Sequence, residues 1–287
     1  MDTGGKGVFG GVFDRVAQVY DTTGVEFFKP MARRLLEHLA PRPGERALDV
    51  GCGRGAVLFP LAEQLGPTGS VVGIDLAAAM VTATGAEVAQ RGLDTVGVRL
   101  MDGTAPEFPP GSFDLVAGSM SIVMIPDLPR AFANYLTLLG PGGRLGLTAP
   151  TPPGGLGTWR LGPLDADLLA AAIDPAVLDA DPGLSGFVRD TAFGGARSLV
   201  PVLREAGFAE VEVHEEDLPI CAADAGELVA WTQSHGMRIV WEAIPPARRA
   251  GVEAALAASI TERNGGPGPI RFGFPISYLV ARSGRSG

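Results

Sequence analysis

Apolar residues recur along this chain at two spacings, and the spacings alternate. Val12, Phe13, Val16, Val19 and Tyr20 fall three and four apart, which predicts a helix over 12–20, and a second helical run covers 27–39. From Ala47 onward, short and nearly continuous apolar runs alternate with helical ones. A strand over 47–50 leads to a helix ending near Leu65, and a strand over 70–75 to a helix ending near Arg91. A strand over 96–101 runs into a proline-rich loop, a strand over 113–117 precedes a helix near 128–139, and a tight glycine turn at 140–143 feeds a strand over 144–149. Strands that alternate with helices predict a parallel sheet covered on both faces, and strands without polar alternation suit such a sheet.

The regularity lapses over 151–195, where prolines and glycines surround one helical run at 164–178. It returns as a helix over 198–207 and a strand over 210–214, lapses again into helical sequence over 223–264, and closes with a strand over 270–282. The pattern predicts an α/β fold, a doubly wound and mostly parallel seven-stranded Rossmann-like sheet in a single domain, 1–287. Its core is expected at about 40–150, 196–222 and 268–283, with N-terminal helices over 8–40 and two helical insertions at about 151–195 and 223–266. Ligands of open α/β sheets sit beyond the carboxyl ends of the strands. Both insertions leave from that end, so they are expected to roof a site; the plainer alternative is that they only cover apolar surface.

Composition narrows the partners. With 46% hydrophobic and 19% charged residues, the chain can bury a large core. A net charge of −9 argues against nucleic acid, whose binding needs a positive footprint. Lys6 and Lys29 are the only lysines, and the excess of arginine, alanine, glycine and proline suits a GC-rich bacterial genome. Cys52 and Cys221 have no metal-ligand spacing, no signal peptide is evident, and no apolar run reaches the ~18–20 residues of a membrane span. These features point to a cytoplasmic protein. A homo-oligomer stays open: the glycine-rich tip before Val12 could reach a neighbouring subunit, and nothing requires it.

Candidate chemistry gathers at the predicted strand ends. The stretch 48–55 (LDVGCGRG) is a buried strand end, an acid, and glycines at 51, 53 and 55, followed by a helical run. Such a turn lets a ligand approach the backbone, and the helix N-terminus offers N–H groups to an anion. Asp75 closes the second strand 24 positions past Gly51, where a carboxylate can accept from ribose hydroxyls or cap the next helix. Asp102 and Gly103 follow the third strand as an adenine-edge contact or a plain turn pair. Small residues at Gly118 and Ser119 leave room after the fourth strand, either for a ligand or for helix packing.

Taken together and in order, LDVGCGRG, VVGIDLAAAM, MDGTA, SFDLV and LLGPGGRL resemble the class I S-adenosylmethionine-dependent methyltransferases, in particular the branch acting on small molecules such as quinones and secondary metabolites. The opening FDRVAQVYD resembles that branch's N-terminal segment. The likeness is strong over 12–149 and looser beyond. It implies S-adenosyl-L-methionine as cofactor, with Gly51 and Gly53 passing the methionine moiety and Asp49 ordering its ammonium group. It further implies Asp75 on the ribose, Leu76 and Met80 on the adenine face, Asp102 with Gly103 on the adenine edge, Ser119 beside the methionine tail, and Tyr20 as a lid. One alternative is a methyltransferase-like scaffold that catalyses cyclisation or rearrangement. An NAD-dependent oxidoreductase is a remote one, because the glycines run G-x-G-x-G and the third misses the G-x-G-x-x-G position.

An oxygen or nitrogen acceptor can need a base. His214, read as the end of the sixth strand, and His235, within WTQSHGMRIVWE, are the candidates, whereas His38 is expected at the surface or in packing. The insertions hold Trp159, Phe187, Phe193, Trp231, Met237, Ile239 and Trp241, and Phe272 and Phe274 follow, an inventory that suits a hydrophobic or aromatic small molecule. Arg160, Arg189, Arg197 and Arg238 could serve an anionic group on it. Carbon, oxygen and nitrogen acceptors are not separable at this level.

Overall fold

A computed structural model describes residues 11–158, 161–189 and 194–284; Trp159, Arg160 and Phe193 lie outside the described residues. The chain begins with α1 (Val12–Val16) and α2 (Phe28–Leu39), then alternates: β1 (Arg46–Val50), α3 (Leu58–Leu65), β2 (Ser70–Asp75), α4 (Ala78–Arg91), β3 (Val96–Leu100), β4 (Phe113–Gly118), α5 (Leu128–Leu138) and β5 (Leu139–Pro150). Three short helices follow, α6 (Ala166–Ala172), α7 (Pro175–Ala180) and α8 (Pro182–Val188). The chain closes with α9 (Leu199–Glu205), β6 (Phe208–Ala222), α10 (Ala225–Gln233), α11 (Arg238–Glu242), α12 (Pro246–Arg263) and β7 (Ile270–Ser283).

The strands form one seven-stranded sheet in the order β3-β2-β1-β4-β5-β7-β6. From β3 to β5 neighbours are parallel, with Leu48 beside both Val72 and Val116. β7 runs antiparallel to β5, with Leu147 opposite Leu279. The chain divides into two compact units. The sheet unit takes the described residues of 28–151, 195–216 and 276–287, and the helical unit those of 1–27, 152–194 and 217–275.

In the sheet unit, Phe132 and Tyr135 of α5 and Leu199 and Leu203 of α9 bury against Leu48, Val116, Leu145 and Leu279. α2 buries Met31, Ala32, Leu35, Leu36 and Leu39, one helical stripe, and packs on β5. Gly146 makes room for it, since a side chain there would meet Leu39 Cδ1 at 2.8 Å. The buried Arg144 ties off α2. Its Nε donates to Leu39 O (3.0 Å), its Nη2 to Ala40 O (2.9 Å), and it pairs with Glu45 (2.9 Å). Carbonyls at the helix end, which have no partner within the helix, are thereby satisfied.

In the helical unit, Leu169, Leu228, Val240, Leu256 and Ile260 are buried, and α12 touches both α6 and α10. Asp165 caps α6 through Leu168 N–H and also receives Ser259 Oγ (3.0 Å) and Arg263 Nη2 (2.6 Å) from α12. Across the unit, Arg15 of α1 pairs with Glu242 of α11.

Three elements differ from the sequence expectation, each for a local reason. The single run expected at 164–178 is instead α6 and α7, because Asp174 caps a new helix whose first residue is Pro175; Asp181 and Pro182 repeat the device at α8. The glycines at 140–143 sit inside β5, which starts at Leu139 paired with Phe113. The strand expected at 210–214 is the fifteen-residue β6, so His214 lies in its middle. Among the described residues, no helix is long and apolar enough to cross a membrane.

Candidate cofactor site

The site begins where β1 turns toward α3. Gly51 (φ +68°) admits no side chain, since a Cβ would lie 2.4 Å from Ser121 Cβ. Gly53 (φ +48°) differs: nothing stands within 4 Å of where its Cβ would be, so its backbone is open to a ligand. The loop is held from several sides. The N–H groups of Gly51 and Cys52 donate to Ile74 O (2.8 and 3.0 Å), Gly53 N–H donates to Asp75 Oδ2 (2.8 Å), and the buried Thr84 donates to Gly53 O (2.6 Å). The first N–H groups of α3 are partly consumed within the chain, Leu58 by Asp49 and Phe59 by Gly55 O, which narrows the anion site expected there.

Asp49 is 1% exposed, and among the described residues its Oδ2 has no hydrogen-bond partner. Burial, aided by the charge of Asp75, pushes its pKa up to about 8. A buried carboxyl satisfied on one side only is suited to a cation such as an ammonium group. Asp75 carries two jobs at once: Oδ2 holds the glycine loop and Oδ1 accepts from Ala77 N–H (2.9 Å) at the start of α4.

Beyond Asp75, Leu76 is 62% exposed, and Leu100, register partner of Asp75, is 58% exposed. Two bare leucines at adjacent strand ends offer an apolar surface of the kind an adenine ring needs. Met80, expected to share that face, is only 1% exposed and lies in the core. Asp102 Oδ1 accepts from Thr104 N–H (2.8 Å), an Asx turn. Gly103 packs so closely over Val50 that a Cβ would stand 2.8 Å from Cγ1, and its carbonyl accepts from Tyr135 OH (2.7 Å). The turn and packing roles of this pair are therefore both present in the structure.

After β4 the chain winds tightly. Ser119 Oγ lies 3.2 Å from Thr148 Oγ1, Met120 N–H donates to the same oxygen (2.7 Å), and Ser121 Oγ donates to Val50 O (2.5 Å). Met120 adopts φ +52°, a left-handed conformation that a non-glycine residue enters at a cost. Of this clamp only Ser119 is among the residues selected from sequence. Ser121, Thr148 and Thr84 carry no motif of their own; the one available signal for Ser121 is a second serine two positions past the first.

Both histidines expected as bases occupy other settings. His214 stacks on His38 of α2 (4.1 Å between centroids, 11°) and lies 3.4 Å from Glu212 Oε2. His38 in turn bonds Glu216, which also holds Arg34. The length of β6 keeps His214 off a strand end, which corrects that expectation. His235, in the helical unit, is buried, accepts at Nδ1 from Met237 N–H (3.4 Å), and packs 4.4 Å from the Trp231 ring. Burial pushes its pKa down to about 3, so it stays neutral and is a weak base at neutral pH. Tyr20 lies in the turn after α1, half-buried, with its ring 6.3 Å from Phe13.

A glycine loop open at Gly53, the buried Asp49, Asp75 holding the loop and the exposed Leu76 lie together at the ends of β1 and β2. The sheet, parallel from β3 to β5 with β7 antiparallel to β5, is that of a Rossmann-like methyltransferase fold. Comparison with known proteins takes the next step. A family model described as a methyltransferase domain matches residues 47–143. The nocamycin O-methyltransferase of Saccharothrix syringae is 52% identical over 272 residues, 94% of this chain and 97% of that protein. The aklanonic acid methyltransferase of a Streptomyces species (strain C5) is 49% identical over 138 residues, 48% of this chain and 63% of that protein. Among solved structures, the YcgJ protein of Bacillus subtilis superposes with a TM-score of 0.57 at 16% identity, covering 90% of this chain and 99% of that one. The [4+2]-cyclase SpnF gives 0.55 at 22%, covering 90% and 81%. At those identities the structural likeness is one of fold alone. The chain belongs to the S-adenosylmethionine-dependent methyltransferase family: it is an enzyme that uses this cofactor to methylate a small molecule.

Proposed function

We propose that the acceptor is a mostly apolar secondary metabolite and that the methyl group goes to an acidic oxygen on it, an enol, a phenol or a carboxylic acid. The similarity over nearly the full chain to an enzyme named as an O-methyltransferase carries this reading. The two histidines support it from another side. His214 is stacked on His38 within β6, and His235 is buried and held neutral, so an acceptor that ionises unaided fits the chain. The bound cofactor supplies a methyl group already activated on a sulfonium.

The protein's own part is then to bind and align. In this reading Gly53 passes the methionine tail, Asp49 takes its ammonium group, Asp75 receives the ribose, Leu76 covers the adenine, Asp102 and Gly103 border its edge, and Ser119 adjoins the tail. Two free thiols, Cys52 and Cys221, support a reducing cytoplasmic setting.

The test is a panel of 2-hydroxy-1,4-naphthoquinone, 1-naphthol and 1-naphthylamine incubated with S-adenosylmethionine and read by mass spectrometry. Methylation of the acidic hydroxyl ahead of the weakly acidic naphthol is expected. Preferential methylation of the amine overturns the reading.

A further inference from the structure

Among the described residues of the helical unit is a buried hydrogen-bond donor with no acceptor. Trp231 of α10 is 1% exposed, and among the described residues its Nε1 has no hydrogen-bond partner. Its neighbourhood is aromatic: the Phe27 ring lies 5.1 Å away, the His235 ring 4.4 Å, and Phe274 lies 5.0 Å beyond Phe27. Trp241, ten positions on, provides a comparison within the same unit. It too is buried, yet its Nε1 donates to Thr232 Oγ1 at 2.9 Å, while that hydroxyl donates onward to Val229 O. One indole is thus fully accommodated by the chain and the other is not.

A buried indole N–H left without an acceptor costs free energy, and natural cores seldom tolerate one without a reason. Trp231 does not stand alone. The segment that carries Phe27 runs along α10, since a Cβ on Gly24 would meet Glu227 Oε1. On the same segment Thr23 Oγ1 is a second buried polar atom with no hydrogen-bond partner among the described residues. Flat rings thus surround an unsatisfied donor, the two features by which an aromatic ligand bearing an oxygen would be recognised.

We infer that Trp231 is a specificity-determining residue for the methyl acceptor: its Nε1–H donates to a carbonyl or enolate oxygen of a flat ring that packs against the Phe27, Trp231 and Phe274 cluster. This rests on the small-molecule methyltransferase reading above. An apolar site alone cannot sort acceptors by oxygenation, whereas a buried donor penalises any ligand that leaves it unmatched.

The full-length protein, labelled with 15N at its three indoles, is titrated with 2-hydroxy-1,4-naphthoquinone and, separately, with naphthalene. The Trp231 N–H resonance is expected to move with the naphthoquinone and to stay in place with naphthalene. Trp231→Phe keeps a ring and removes the donor, so it should weaken the naphthoquinone about tenfold and naphthalene by less than about twofold. If that variant does not fold, Trp159→Phe and Trp241→Phe assign the resonance in its stead and the titration of the wild type decides. An unmoved Trp231 resonance, equal weakening of both ligands, or no binding of the naphthoquinone by the wild type overturns the inference. A parallel titration with S-adenosylmethionine, which Trp231→Phe should leave unchanged, reports on the methyltransferase reading by itself.

Discussion

Asp49→Asn removes one ionisable group from the interior of the sheet unit and should change two quantities in a linked way. In the folded chain the carboxyl has a pKa of about 8, against 3.8 for an unperturbed group. A raised acid pKa means that the folded state binds more protons than the unfolded state between those values, so stability falls as pH rises through that window and levels off above it. At ~1.4 kcal/mol per pH unit, the wild type should lose up to about 4 kcal/mol between pH 5 and 8 from this group alone. The asparagine variant should lack that slope. Urea denaturation of both proteins at pH 5, 6, 7 and 8 measures the difference directly.

The second quantity is cofactor affinity. An ammonium group arriving beside Asp49 favours the ionised carboxylate, so binding near pH 7 should expel close to one proton. Calorimetric titration of S-adenosylmethionine in two buffers of different ionisation enthalpy counts that proton. In the variant the proton release should vanish, and affinity should drop by at least about tenfold, the worth of one hydrogen bond to a charged group. Parallel pH–stability curves for the two proteins, or binding without proton release in the wild type, would refute the reasoning.

Other substitutions separate packing from binding. Gly53→Ala should fold with a loss of about 1 kcal/mol for its positive φ and yet bind S-adenosylmethionine far more weakly, whereas Gly51→Ala, which meets Ser121, should be destabilised by more than that; thermal melts and calorimetry on each distinguish them. Arg144→Leu strands Glu45 and the last carbonyls of α2 and should cost about 3 kcal/mol in urea denaturation. Leu76→Ser removes exposed apolar surface only, so cofactor affinity should fall while the denaturation midpoint stays within experimental error.

The parallel half of the fold was legible because its signals are local. β1 and β2 are uninterrupted apolar runs, and a run buried on both faces has few other structures open to it. The glycine spacing and the acid of Asp75 were legible for the same reason: their roles depend on the strand ends beside them. Helix breaks at Asp174 and Asp181 were available as Asp-Pro pairs, but the apolar spacing across 164–178 outweighed them. His214 was misplaced because the end of β6 is set by pairing with its neighbours, which leaves no mark in five residues of sequence. The neutral state of His235 and the clamp of Ser121 on Val50 depend on burial and on residues far away in the chain, so no spacing could announce them.

The helical unit gathers residues from the start, the middle and the end of the chain, and this sets an order of events during synthesis. Phe27 finds Trp231 and Phe274, and Arg15 finds Glu242, only after more than two hundred further residues have emerged. β1 to β5, in contrast, are complete once Pro150 is out. Closing such long loops is entropically slow. Residues 12–27 should therefore be among the last to gain protection from exchange or proteolysis, and a nascent chain halted before Phe274 should hold β1 to β5 paired while residues 12–27 stay unprotected.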